Sequence, residues 1–509
     1  MKRILIFVFF VFMLLGLLLF KIFSKSPEIK KCEHCNILLI DIDILRADEL
    51  PCYGYSRNTA PNICSLAQKS LLFKDNYSTS FWTFPSIHST ITSTFPLFNR
   101  VTNAYTDKLN GNVVTMAEKL QSEGYQTVFV GGMNNTATLT KSSDGLRGYD
   151  LVTNESIDTV IEKLSKSSKP WFVHYYNGSL HFPYLLFENE KQIENLVVPN
   201  NLLIFSNQFD IGFNSYLKKN YKNIFQKTAI DKFNSIIMSP YIKNDISLTN
   251  LFYKLNEENV ENKYLINSWY PKYKYFLSQI DINKASDLAY IRMLYDTRLQ
   301  ILDTKLGKIL NTLNKNLFSA NTITTIMSDH GEFLGEYGLF SHDSSYHSML
   351  YKTPLIIHFP NISAKVIDKT TSNIDIFPTI LDLVGISIPS GIQGQSLLPF
   401  ITDKSFNADK FAFGQCAEGI LFQNKNWLYF LPYGSLSINQ SVLFNKIDDP
   451  NEVTNVAKKY PELTRFFYNK STLMLSYDKL LSNNEKNISS DYIKIDPIKL
   501  DRLKREGYW

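Results

Sequence analysis

Two segments far apart in the chain carry residues able to do chemistry. They are Asn36-Ile-Leu-Leu-Ile-Asp-Ile-Asp-Ile-Leu-Arg46 and Thr325-Ile-Met-Ser-Asp-His-Gly-Glu332. Each is an apolar, β-branched run that ends in carboxylates or a histidine, the pattern of a buried parallel strand whose C-terminal end is functional. Aspartate oxygens plus one imidazole suit a divalent cation. Asp43, Asp329 and His330 are therefore read as metal ligands, against the plainer reading of turn or helix-capping residues. Asp41, two residues before Asp43, points to the same strand face. It is a further candidate ligand, or else a supporting acceptor or a salt-bridge partner of Arg46.

Between these segments lies Ser80-Phe-Trp-Thr-Phe-Pro-Ser-Ile-His88. Thr83 stands where a helix begins, so an anion bound there would meet free backbone N–H groups and the positive end of the helix dipole. A threonine hydroxyl is protonated at neutral pH and needs a metal to act as an alkoxide. Thr83 is thus a candidate nucleophile on a phosphate or sulfate ester, although it could also serve as the N-cap. Ser86 and His88 follow within about one turn and are candidate substrate contacts. His181, in Gly178-Ser-Leu-His-Phe-Pro-Tyr184, and His342, in Gly338-Leu-Phe-Ser-His342, could bind the transferred anion or protonate the leaving group.

These residues need a scaffold. Strands are predicted at 36–42, 126–130, 171–176 and 322–327, with helices starting near Pro61 and Val113 and a long one from a Ser286 cap to Asn314. Alternation of this kind predicts an α/β fold with a mostly parallel sheet flanked by helices. Short strands at 411–413, 419–422, 427–430 and 441–444 predict a small C-terminal antiparallel sheet, followed by a helix after Pro461. Residues 185–285, rich in Tyr, Phe, Asn and Lys without a clean period, read as an insertion. The expected organisation is a segment 1–23, a linker 24–34, a catalytic domain 35–400 and a C-terminal subdomain 401–509.

Apolar residues make up 44% and charged residues 20% of the 509, the balance of a globular protein large enough for more than one core. A net charge of +5, with lysines and arginines dispersed, gives no nucleic-acid patch. Ile4 to Phe20 is free of charge and flanked by Lys2, Arg3 and Lys21, which predicts a retained membrane anchor; a cleaved signal is the alternative. Basic residues on both sides of the segment leave its orientation open, and the expectation is an extracytoplasmic catalytic domain. Of five cysteines, Cys32 and Cys35 form a C-x-x-C best read as a short disulfide, and the odd total leaves at least one thiol without an intramolecular partner.

The ordered pieces resemble the sulfatase family of the alkaline phosphatase superfamily, from residue 35 to about residue 470. They include Asn36 to Arg46, Pro51-Cys-Tyr-Gly54, Thr59-Ala-Pro-Asn62, Trp82-Thr-Phe-Pro-Ser86, His181-Phe-Pro-Tyr184, Ser328-Asp-His-Gly-Glu332, Asp375-Ile-Phe-Pro-Thr379 and Gly394-Gln-Ser-Leu397. The resemblance implies an alkaline-phosphatase-like fold, one metal held by Asp43, Asp329 and His330, Thr83 as nucleophile, and His181 and His342 lining the anion site. Dedicated sulfatases carry Cys or Ser within C/S-x-P-S-R and convert it to formylglycine; Thr83-Phe-Pro-Ser-Ile87 cannot yield that aldehyde and lacks the arginine. Thr at this position is similar to phosphoethanolamine and phosphoglycerol transferases, which form a phosphothreonine. Asp-His in place of Asp-Asn favours Zn or Mn, with Ca as a further option. The first reading is a membrane-anchored hydrolase or transferase of phosphate esters or diesters, such as a lipid headgroup, through a covalent Thr83 intermediate. The alternatives are a sulfuric ester hydrolase acting on a sulfated glycan or lipid, and an inactive relative that binds a glycan or headgroup.

Overall fold

The computed structural model describes residues 31–485 except 103–106, 132–142, 194–195, 221–274, 282, 316–318, 343–344, 361, 403–409, 417 and 434–436. In chain order the framework is β1 (Asn36–Ile42), α1 (Pro61–Ala67), β2 (Leu71–Tyr77), α2 (Thr83–Thr92), α3 (Met116–Ser122), β3 (Gln126–Val130), β4 (Leu151–Thr153), α4 (Ile157–Leu164) and β5 (Trp171–Asn177). It continues with α5 (Asn200–Asn220), α6 (Ala285–Lys315), β6 (Thr322–Met327), β7 (Leu355–His358), β8 (Lys365–Ser372) and α7 (Ile376–Leu383). The C-terminal part contains β9 (Ala412–Gln415), β10 (Gly419–Gln423), β11 (Trp427–Pro432), β12 (Val442–Asn445) and α8 (Pro461–Glu485).

Eight strands form one sheet in the order β8-β2-β7-β6-β1-β5-β3-β4. Only β7 runs antiparallel to its neighbours, so the expected mostly parallel sheet is present. β1 lies between β5 and β6, which explains its unbroken burial. Its residues divide between two cores. Leu38, Ile40 and Ile42 pack with Ile63 of α1 and Leu294, Leu299 and Leu302 of α6. Ile37 and Leu39 pack with Leu120 of α3 and Ile376 and Ile380 of α7. A strand covered on both faces has no room for polar alternation, so its carboxylates gather at the C-terminal end.

The antiparallel sheet β9-β10-β11-β12 also forms as expected, with α8 packed on it through Phe467. Its loop after β12 braces the segment that carries His342. Glu452 accepts from the Ser348 N–H at 2.9 Å and lies 3.2 Å from His347 Nδ1. Lys446 donates to Tyr77 Oη at 3.1 Å and Ser348 Oγ at 3.0 Å.

Two expectations change. The long helix begins at Ala285, so Ser286 lies in its first turn and donates to Asp287 Oδ1 at 3.0 Å instead of capping. The 185–285 insertion includes the helix α5, which packs Phe209 and Phe213 against Phe276, while 221–274 lie outside the described residues. The segment 1–23 and most of the linker also lie outside them. Among the described residues no helix is long and apolar enough to cross a membrane. Cys32 pairs with Cys35 as expected and Cys52 with Cys64, leaving Cys416 as a buried free thiol.

Candidate active site

The parallel register brings the ends of β1, β5 and β6 side by side. Asp43 follows β1, with its N–H on the Asn177 carbonyl at the end of β5 at 3.1 Å. Asp329 and His330 follow β6. The turn after them needs Gly331, because a Cβ there would run into the Met349 carbonyl oxygen. Ser328 ties the two strand ends together, accepting from the Leu45 N–H at 2.8 Å and donating to the His330 carbonyl at 2.7 Å.

Asp43, Asp329 and His330 are buried, and one donor atom from each lies within 4.8 Å of the others. His330 Nε2 is 3.5 Å from Asp43 Oδ1 and 3.6 Å from Asp329 Oδ2. His330 Nδ1 lies 2.8 Å from the Gly331 carbonyl, an acceptor that assigns the ring proton to Nδ1 and leaves the Nε2 lone pair facing the carboxylates. Burial holds the His330 imidazole well below its ordinary value, helped by His342, so the ring is neutral. Burial pushes Asp329 well above the usual carboxylate range, and Asp43 and Asp41 add to the shift. Asp329 Oδ1 accepts from the N–H groups of Ile44 and His330, but the buried Oδ2 has no hydrogen-bond partner. Two buried carboxylates, an orphaned oxygen and a neutral imidazole nitrogen make a donor set that fits one small divalent cation.

Thr83 reaches this group. Its Oγ1 lies 3.1 Å from His330 Nε2 and 3.5 Å from Asp43 Oδ1. The N-cap of α2 is Trp82, with no side-chain cap, so the threonine hydroxyl faces the acidic cluster and not its own helix. The first-turn N–H groups point to the same mouth. The rings of His342 and His330 are centred 4.6 Å apart, and those of His342 and His181 5.2 Å apart. The fold thus gathers Thr83, His181 and His342 around the acidic cluster.

Three candidates stand elsewhere. Asp41 is one step inside β1, 3.5 Å from His174 on β5 and outside the ligand group; burial raises its carboxyl, opposed by His174. His88 points into the core below α2. Its Nδ1 lies 2.7 Å from the Phe84 carbonyl and its Nε2 2.9 Å from Ser143 Oγ, so both nitrogens are taken. Ser86 turns its hydroxyl to the Ser80 carbonyl at 3.1 Å, supporting the entry to α2. Ser86 and His88 lie in a helix, where the flank that faces the sheet is set by packing, and Asp41 is placed by the pairing of β1 with β5.

Sequence reading assigned no role to two residues that support the site. Tyr176 donates to Asp43 Oδ2 at 2.6 Å. Glu332 lies between Tyr184 Oη and His342 Nδ1, 3.1 Å from each. Tyr176 stands near the end of a strand adjacent to β1, and Glu332 directly follows the Asp-His-Gly motif. Those placements were the available signals.

Comparison with known proteins decides the family. A family model described as Sulfatase matches residues 35–386. The chain belongs to the sulfatase family. Arylsulfatase K of Bos taurus is 30% identical over 222 residues, covering 41% of this sulfatase-family chain and 41% of that protein. The match thus spans about two fifths of that relative's length. N-acetylglucosamine-6-O-sulfatase of Bacteroides thetaiotaomicron is 24% identical over 419 residues, covering 74% of this chain and 73% of that protein. Among solved structures, BT4656 in complex with its substrate D-glucosamine-2-N,6-O-disulfate matches with a TM-score of 0.58 and 20% identity, over 88% of this chain and 99% of that one. The phosphonate monoester hydrolase of Agrobacterium radiobacter matches with a TM-score of 0.59 and 18% identity, over 87% and 96%. At these identities the solved structures establish the shared fold.

Proposed function

We propose that the chain is a metal-dependent hydrolase of sulfate monoesters carried on a sugar, with Thr83 as the nucleophile. The observation that carries this reading is the position of Thr83 Oγ1 within 3.1 Å of His330 Nε2, at a helix mouth shared with His181 and His342. The curated relatives, named arylsulfatase K and N-acetylglucosamine-6-O-sulfatase, favour sulfate over the phosphate ester preferred from sequence.

The bound cation, held by Asp43, Asp329 and His330 with Zn or Mn favoured by the donor set and Ca as a further option, would lower the pKa of the Thr83 hydroxyl and neutralise ester oxygens. Thr83 Oγ attacks sulfur, its proton passing to solvent, from which the imidazole acid later regains one, and the bond from sulfur to the sugar oxygen breaks. That oxygen leaves with the bonding pair and takes a proton from an imidazole, His181 or His342. Water then cleaves the threonine sulfate at sulfur, returning a proton to the Thr83 oxygen and releasing sulfate. The net reaction consumes one ester and one water and yields an alcohol and hydrogen sulfate. His181 and His342 bind the ester oxygens, and Tyr176 keeps Asp43 oriented.

A second reading is hydrolysis or transfer of phosphorus esters. It is favoured by Thr83 itself, an alcohol that cannot become an aldehyde. The segment 1–23 is proposed as an anchor that leaves this domain extracytoplasmic, a placement consistent with the disulfides Cys32–Cys35 and Cys52–Cys64.

The test is turnover of aryl sulfate, aryl phosphate and bis-aryl phosphate by the full chain supplied with Zn, Mn or Ca. Sulfate release that falls at least ~1,000-fold in Thr83→Ala is the expected result. Turnover confined to phosphorus esters would transfer the conclusion to the second reading. Activity that survives in Thr83→Ala would remove Thr83 from the mechanism. A metal-loaded protein silent on all three would favour a binding-only relative.

A further inference from the structure

Glu332 is fully buried, and both carboxylate oxygens are engaged. Oε1 accepts from Tyr184 Oη at 3.1 Å, and Oε2 lies 3.1 Å from His342 Nδ1. Its backbone is fixed as well, since the carbonyl accepts from the buried Arg46 guanidinium at 3.0 Å. Tyr184 is itself buried, with its ring 5.6 Å from that of Tyr295. Such a carboxylate belongs to no ligand group among the described residues. It does what a carboxylate behind a working imidazole does: it accepts a hydrogen bond from Nδ1–H and turns the other ring nitrogen outward.

The two candidate imidazoles differ in this respect. His181 Nδ1 lies 2.9 Å from the Phe182 carbonyl, a neutral acceptor one residue away. His342 Nδ1 faces a carboxylate on a separately braced side chain, with Ser341 Oγ farther off at 3.4 Å. A charged acceptor gives the stronger hydrogen bond and supports the ring while it carries a proton.

We propose that Glu332, held by Tyr184, is a positioning residue that fixes His342 with its proton on Nδ1 and so makes Nε2 of His342, not of His181, the atom that addresses the leaving oxygen. The inference rests on the ester-hydrolase reading above and assigns within it a role that the sequence left open between two histidines. With Nδ1–H held by Glu332, Nε2 takes up a second proton from solvent and passes it to the departing oxygen as the bond to sulfur or phosphorus breaks, which returns the ring to its neutral Nδ1–H form.

The experiment compares wild type, Glu332→Gln, Tyr184→Phe, His342→Gln and the Glu332→Gln/His342→Gln double variant of the full metal-loaded chain. Each is assayed on a 4-nitrophenyl ester, whose leaving group needs no proton, and on an alkyl ester, whose leaving group does. Glu332→Gln should lower kcat on the alkyl ester about 100-fold, with KM within about threefold and less than about tenfold loss on the 4-nitrophenyl ester. Tyr184→Phe should show the same pattern more weakly. The double variant should be no slower than His342→Gln alone, because the two residues act as one unit. Equal losses on both esters, or fully additive losses, would overturn the proposal by reducing Glu332 to a structural role. A second readout separates this proposal from the function itself. If wild type turns over no ester, the ester-hydrolase reading has failed, and histidine 15N shifts still decide the contact. At a pH where the ring is neutral, a His342 proton on Nδ1 in wild type and on Nε2 in Glu332→Ala supports the positioning role; a neutral ring protonated on Nε2 already in wild type overturns it.

Discussion

The helix that presents Thr83 hangs on a buried histidine, and acid should expose that dependence. His88 is fully buried, with Nδ1 on the Phe84 carbonyl and Nε2 against Ser143 Oγ. Burial pushes its imidazole from the ordinary 6.5 down to about 4, opposed by the bond to Phe84. The folded protein thus refuses a proton that the unfolded chain accepts near 6.5. Stability from the neutral ring is complete above pH 6.5 and is lost as pH falls through the window from 6.5 to about 4. At about 1.4 kcal/mol per pH unit across that window, the whole effect is about 3 kcal/mol, of which about 2 kcal/mol is lost between pH 7 and 4.5. Asp41 and Asp329, whose carboxyls are raised, act in the opposite direction. The useful quantity is therefore the difference between wild type and His88→Gln, which share those carboxyls. Equilibrium urea unfolding of both proteins at several pH values measures it. At pH 7 the variant should be the less stable, by about 1–3 kcal/mol for the lost hydrogen bonds. That gap should close or invert by pH 4.5. A gap that stays constant with pH would refute the burial argument. A large rise in KM for His88→Gln at neutral pH would restore the substrate contact suggested by sequence.

Other consequences follow from the same geometry. Asp329→Asn removes a donor whose Oδ2 has no other partner, so metal affinity should fall at least ~100-fold by direct titration, while the metal-free protein, relieved of a buried charge beside Asp43, should be no less stable; unchanged metal binding would place the cation elsewhere. Joint replacement of Cys52 and Cys64 by serine opens a crosslink spanning a sequence separation of 12 and should cost about 3 kcal/mol in denaturant unfolding, with no change in bound metal. A loss of metal with those variants would mean that the loop after β1 holds the site more tightly than its contacts indicate.

Much of the site was legible because its signals are local. Strand runs that stop at a carboxylate, a glycine after Asp329-His330 and a proline two residues beyond Thr83 are written within a few residues. They follow from burial on both faces of a parallel strand and from how helices begin. The small antiparallel sheet was legible for a related reason, since strand spacing and turns are also local. The supporting contacts were not. Tyr176 and Asp43 are far apart in sequence and meet only because β5 pairs with β1 in one register. Asp41 shares a strand face with Asp43 yet meets His174, because that same register sets the imidazole beside Leu39, the next residue inward on that face.

The sequence by itself determined the family, the alternation of strands and helices, the acidic ends of β1 and β6, and the hydroxyl at the mouth of α2. Each rests on residue type and short spacing, which physical chemistry reads without knowing what lies opposite. Only the tertiary structure decided which histidine does what. His88 turns into the core, His330 faces two carboxylates, His181 leans on its own backbone, and His342 stands against Glu332. A lone imidazole in a sequence carries no direction. Its partners come from distant strands and loops, and those partners set its tautomer, its charge and its use.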